Sequence, residues 1–171
     1  MRPFEYAQPA TKEQAAGLLG PRWEDAAILA GGTDLMSLMK DNLAAPRRVV
    51  DIKAVKELAG IQYSAKSGLR LGTLVTLEQL REHPDVRKQY PGLVHAAEGI
   101  TSAQMRNRGT VGGDLAQRPR CWYFRNGFGL LAKPASGRPA EATEDSRYFA
   151  IFGNDGPGCG APAGKRPAGP G

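Results

Sequence analysis

The sequence predicts an α+β fold of two small subdomains, and three observations predict it. From Ala10 to Gly60 the apolar spacing runs helix, strand, glycine turn, helix, strand, helix, the order of a small unit with parallel strands. From Gly60 onward two alternating segments joined by a short turn take over, the pattern of paired antiparallel strands. A chain of 171 residues that is 41% hydrophobic can bury one sizeable core or two lesser ones sharing an interface. A subdomain boundary near residue 60 follows, with residues 1–59 forming a small α/β unit and residues 60–155 a second, α+β one.

The first helix is read in ATKEQAAGLLG, residues 10–20. Thr11 is its N-cap, Gln14 sits at the capping-box position, and Gly20 is expected in the left-handed conformation that ends a helix. AAILAGG, residues 26–32, is a short apolar run stopped by glycines and predicts a buried strand. In TDLMSLMKDN, residues 33–42, Leu35, Met36, Leu38 and Met39 fall on helical spacing behind a Thr33 or Asp34 cap. RRVVDI, residues 47–52, predicts a second strand, and KAVKELAG, residues 53–60, a short helix closed by Gly60.

In the second half, IQYSA and GLRLGTLVT predict antiparallel strands around a KSG turn. TLEQLREHP repeats the helix-start pattern, with Thr76 as N-cap, Gln79 three residues on, and Pro84 beyond the end. GLVHAAEGI, residues 92–100, predicts another helix, whereas residues 101–117 show no clear period. Residues 127–147 read as polar loop and YFAIFGND, residues 148–155, as a brief strand. Residues 156–171 are nearly all glycine, proline and alanine. Such a tail buries too little apolar surface to offset its ordering entropy, so disorder is expected.

Composition narrows the function classes. No run approaches the ~18 apolar residues of a membrane span, and the N-terminus lacks a secretory apolar stretch. Two cysteines, Cys121 and Cys159, rule out a disulfide-dense scaffold and fit a reducing, cytoplasmic setting. The net charge of +6 suits an anionic cofactor or an acidic partner surface. Nothing resembles a nucleic-acid module, and the aromatics are not interleaved with the basic runs apart from RCWYFR.

The chemistry lies in two glycine breaks, AGGTD at residues 30–34 and TVGGD at residues 110–114. A strand that ends in Gly-Gly and enters a helix presents backbone N–H groups with no intrahelical partner, and glycine lets an anion approach them. Thr33 adds a hydroxyl donor, while Asp34 suits helix capping better than direct phosphate contact. Arg106 and Arg108 precede the second break. Two such loops suit a dinucleotide diphosphate held from both sides, although a tight turn would explain either glycine pair alone. Neither loop reads G-x-G-x-x-G or the phosphate-loop form, so nicotinamide Rossmann binding and nucleotide hydrolysis are disfavoured.

Six segments in order bring a family into view: PFEYAQPATKEQAAGLL, ILAGGTDLMSLMKD, PRRVVDIKAVKEL, LRLGTLVTLEQL, MRNRGTVGGDLAQRPRCWYFR and RYFAIFGNDGP. Over about residues 2–157 the chain resembles the FAD-binding medium subunit of molybdenum hydroxylases, the xanthine dehydrogenase and aldehyde oxidoreductase group. The resemblance implies the two-subdomain FAD-binding fold of the vanillyl-alcohol-oxidase/PCMH type, with FAD between the subdomains. It implies a first FAD-contacting loop of Ala30, Gly31, Gly32, Thr33 and Asp34 and a second of Thr110, Val111, Gly112, Gly113 and Asp114. At the last position the family usually has Asn; Asp114 lacks the amide donor and adds negative charge.

The resemblance further implies an oxidoreductase flavoprotein without an acid, base or nucleophile of its own. Substrate is oxidised at a molybdopterin-binding large subunit, and electrons cross a 2Fe-2S small subunit to FAD and then to NAD or a quinone. Some relatives bind a four-iron cluster through four cysteines near RCWYFR; Cys121 and Cys159 cannot supply four ligands, so no metal is expected. His83 and His95 read as solvated or packed side chains. The family pattern continues with further strands and a helical C-terminal domain, so the glycine-rich ending reads as a C-terminal truncation or frame shift. Two other readings stay open: a FAD-free remnant that docks to partner subunits, and an unrelated nucleotide-binding module.

Overall fold

The computed structural model describes residues 1–22, 24–118, 120 and 125. The loop, strand and tail expected over residues 127–171, and both cysteines, lie outside the described residues. Contacts divide the chain into two compact units, Met1–Gln117 and Arg118–Gly171. In the second, Arg125 Nη2 donates to the Arg118 carbonyl at 3.2 Å. The first is an assembly of helices and two sheets that is α+β, as expected.

Three parallel strands form one sheet in the order β1-β3-β2: β1 Glu5–Ala7, β2 Ala26–Leu29 and β3 Arg48–Asp51. The register pairs Tyr6 with Val49 on one side and Ala27 with Val49 on the other. The central strand is buried at Val49, Val50 and Asp51, as a strand flanked on both edges must be. The edge strand β2 is not buried as its apolar run suggested, and Ile28 is 51% exposed. Strand β1, only three residues long, is absent from the sequence reading.

Helix α1, Lys12–Gly17, starts at Thr11, whose hydroxyl accepts from Gln14 N–H. It ends at Leu18 in a right-handed conformation, and Gly20 is not left-handed. Gly20 is needed for close approach, since a Cβ there would lie 2.3 Å from Asp25 Cβ. Helix α2, Leu35–Lys40, turns Leu38 and Met39 inward. It closes on Asn42 at φ 56°, with Leu43 N–H bonded to the Leu38 carbonyl and Asn42 N–H to the Met39 carbonyl, a Schellman end. Residues 56–58 form a 3-10 turn rather than an α-helix. Ala15, Val50, Ile52 and Val55 make the core beneath this sheet.

Gly60, at φ +100°, turns the chain into the second sheet. Strands β4, Ile61–Ser64, and β5, Gly68–Leu71, pair antiparallel as expected. Helix α3, Leu77–Glu82, carries a complete Thr76–Gln79 capping box. Pro84 does more than end it, because Pro84 opens α4, Pro84–Gln89, at the first helical position that tolerates proline. Helix α5 follows as Pro91–Glu98. The aperiodic stretch holds two short helices, α6 Ala103–Arg108 and α7 Val111–Leu115. Val75, Leu77, Leu80, Val86, Val94 and Ala97 form a second core, against which Ile61, Leu69 and Leu71 pack. Tyr63 and Tyr90 meet edge to face there at 6.1 Å. Among the described residues no helix is long and apolar enough to cross a membrane.

Candidate functional site

A cavity of about 690 Å³ opens where β2 and β3 end. The loop after β2 brings Ala30 and Gly31 to its wall, and Lys53 follows β3. Ligand clefts of open parallel sheets sit at such carboxyl ends. The opposite wall comes from the second core: Ile61 of β4, Val75, Gln79 of α3, and Arg108 and Thr110 around the α6–α7 turn.

Gly31 holds the two walls together. A Cβ on it would lie 1.8 Å from the Arg108 carbonyl oxygen, so only glycine lets the loop close on the 108–109 backbone. Thr33 comes close as well, its Oγ1 standing 3.7 Å from where a Cβ on Gly109 would be. Gly32 adopts φ +79°, the left-handed region that favours glycine. Its carbonyl accepts from Met36 N–H at 3.1 Å, which starts α2. Asp34 occupies the N-cap position but makes no side-chain cap bond, contrary to expectation. Among the described residues the amides of Gly31, Gly32 and Thr33 have no protein acceptor. Helix α2 is only six residues long, so these loop amides, rather than a long dipole, make the stretch receptive to an anion.

The second glycine break is built differently. Val111 N–H donates to the Val75 carbonyl at 2.8 Å and Gly112 N–H to the Thr73 carbonyl at 2.9 Å. Gly113 N–H donates to Thr110 Oγ1 at 3.1 Å, and Asp114 N–H to the Thr110 carbonyl at 2.9 Å. A Cβ on Gly112 would sit 2.6 Å from Thr73 Cβ. The glycine pair here lets α7 pack on residues 73–75, and its amides are engaged within the protein. The two breaks look alike in sequence, yet among the described residues one has unengaged amides and the other is a packed joint.

Charges around the cavity are sorted in a similar way. The carboxyl of Asp51, buried at the end of β3, accepts from Tyr6 Oη, from Lys53 N–H at 3.0 Å and from Lys53 Nζ at 2.8 Å. Burial pushes that carboxyl up, but the Lys53 and Tyr6 hydrogen bonds outweigh it and hold it below its ordinary value. Arg106, one of the two arginines that precede the second break, is turned inward. It donates to Glu78 Oε2 at 2.6 Å and to the carbonyls of Ile100 and Thr101. Arg108 is exposed, and among the described residues it has no acidic partner. His83 also lines the cavity, and its Nδ1 is buried with no hydrogen-bond partner among the described residues. His95 lies on the surface, its side chain 82% exposed.

Of the ten residues read from the sequence, Ala30, Gly31 and Thr110 line the cavity. Gly32, Thr33 and Asp34 continue the first loop, and Val111, Gly112, Gly113 and Asp114 form α7. Lys53, Ile61, Gln79 and His83 were missed. Lys53 was within reach of the rule that ligands gather where parallel strands end. The others depend on how the second core docks, which no local pattern records.

A family model described as the FAD-binding domain in molybdopterin dehydrogenase matches residues 2–148. The chain is 41% identical over 118 residues to the nicotinate dehydrogenase FAD-subunit of Eubacterium barkeri, covering 68% of this chain and 39% of that protein. It is 36% identical over 154 residues to the aldehyde oxidoreductase FAD-binding subunit of Escherichia coli K12, covering 90% of this chain and 48% of that one. The solved carbon monoxide dehydrogenase of Hydrogenophaga pseudoflava lacking the Mo-pyranopterin moiety superposes with a TM-score of 0.62 at 40% identity. That match covers 66% of this chain and 39% of the other. The chain thus spans less than half the length of these proteins.

Proposed function

The chain belongs to the family of FAD-binding domains of molybdopterin dehydrogenases, with FAD as its cofactor, and from this we propose that it is a FAD-binding electron-transfer subunit, or part of one, of a molybdenum hydroxylase. In this reading it assembles with a molybdopterin-binding large subunit and a 2Fe-2S small subunit. It relays electrons from the iron–sulfur clusters through FAD to an acceptor such as NAD or a quinone. Residues 1–59 and 60–155 are its two FAD-binding subdomains. A cytoplasmic setting suits a chain with two cysteines in 171 residues.

The observation that supports it most is the loop at residues 31–33, whose amides lack acceptors among the described residues, beside a cavity of about 690 Å³. The residues present fit a dinucleotide. Backbone donors suit a diphosphate, Ala30, Ile61, Leu74 and Val75 give an apolar wall, and Gln79 and Thr110 give polar points on it. When bound, FAD supplies the redox chemistry that these side chains lack. Ala30, Gly31, Gly32, Thr33 and Asp34 would then hold the cofactor on one side. Thr110, Val111, Gly112, Gly113 and Asp114 would shape the other side, through Thr110 and the packed α7 joint more than through bare amides.

Purified full chain, stripped and reloaded with FAD, should show flavin absorption at about one FAD per chain, the single-site occupancy expected of one cleft. A folded but colourless chain would sink this reading. A pull-down of the two partner subunits by that colourless chain would support a FAD-free docking role instead.

A further inference from the structure

We propose that the Arg108 guanidinium is the cation that clamps the FAD diphosphate against the amides at residues 31–33; this rests on the FAD reading above. Arg108 lines the same cavity as Gly31. Its carbonyl oxygen lies against Gly31, in the space a Cβ would need, so the arginine is anchored beside the loop whose amides lack acceptors among the described residues. Its side chain is exposed and, among the described residues, has no acidic partner.

Among the described residues, two neighbouring cations are committed elsewhere. Arg106, two residues earlier, is bound to Glu78 and two carbonyls. Lys53, on the opposite wall, is held by Asp51 at 2.8 Å. Glu82, the acid lining the cavity, pairs with Arg81 at 3.2 Å. Amide dipoles orient an anion but bring no net charge to set against its two negative charges. A guanidinium on a flexible arm supplies one positive charge, and its planar fork of N–H donors matches phosphate oxygens in pairs.

The test is titration calorimetry on the full chain with FAD and with ADP, which carries the diphosphate without the flavin, at low and high salt. Arg108→Gln should weaken both ligands by a similar factor, about ten- to a hundredfold, the range of one charge-assisted contact. It should also flatten the salt dependence of FAD binding and leave the melting temperature of the ligand-free chain in place. Unchanged FAD affinity, or a loss confined to FAD with ADP untouched, overturns the clamp while leaving the FAD reading intact. A wild-type chain that binds no FAD removes both together. Should the Gln variant fail to fold, Arg108→Lys serves instead: it keeps the charge and loses the fork, so a smaller loss on both ligands is expected and wild-type affinity overturns the clamp.

Discussion

Glu78 receives hydrogen bonds from two arginines on different helices, Arg81 on its own helix α3 and Arg106 from α6. The Arg81 and Arg106 hydrogen bonds hold its carboxyl at about 2, below the ordinary 4.5. A depressed folded-state pKa contributes stability that is complete above the unfolded value and disappears as pH falls toward the folded one. Denaturant midpoints of wild type should therefore drop more steeply between about pH 5 and pH 3 than those of Glu78→Gln. Parallel curves would show that the network does not couple to folding. The pairing was illegible in sequence for a plain reason. Arg106 and Arg108 stand two apart beside the same glycines, and what separates them is a carboxylate 28 residues away.

At the level of elements, legibility followed locality. The capping box of α3 needs only residues three apart, Thr76 accepting from Gln79 N–H and Gln79 Oε1 accepting from Thr76 N–H. Both bonds could be read directly from the spacing. Thr76→Ala should accordingly lower unfolding free energy by about 1 kcal/mol. Thr76→Ser should keep most of it in a urea titration, and equal losses in the two variants would mean that packing, not capping, is at stake. Elements with weaker local signals were missed. Helices α6 and α7 bury no residue and so carry no apolar period, and the signs they left are their caps, Ser102 accepting from Met105 N–H and Thr110 from Gly113 N–H. Strand β1, three residues long, exists because it pairs with β3, a partner far along the chain. Ile28 was expected inside because its run is apolar; the strand order leaves β2 at an edge.

Across the whole molecule, the cavity is walled by the end of the parallel sheet on one side and by the second core on the other. A ligand held by both would bind the folded chain and not the unfolded one. FAD at a hundredfold excess over its Kd should then raise unfolding free energy by about 2.7 kcal/mol, with a melting temperature that climbs with FAD concentration. A melting temperature indifferent to FAD would mean that the folded chain does not bind it.

By itself the sequence determined the α+β class, the starts of α1, α2 and α3 and the antiparallel hairpin, because those rest on spacing and turn chemistry between near neighbours; the family came from the resemblance of six ordered segments. Only the tertiary structure decided that the two glycine breaks differ. Among the described residues the amides at 31–33 lack protein acceptors, while at 111–114 they are engaged within the protein and α7 packs on residues 73–75. Whether a backbone donor is free depends on which distant carbonyl reaches it, and no local pattern of residues encodes that distance.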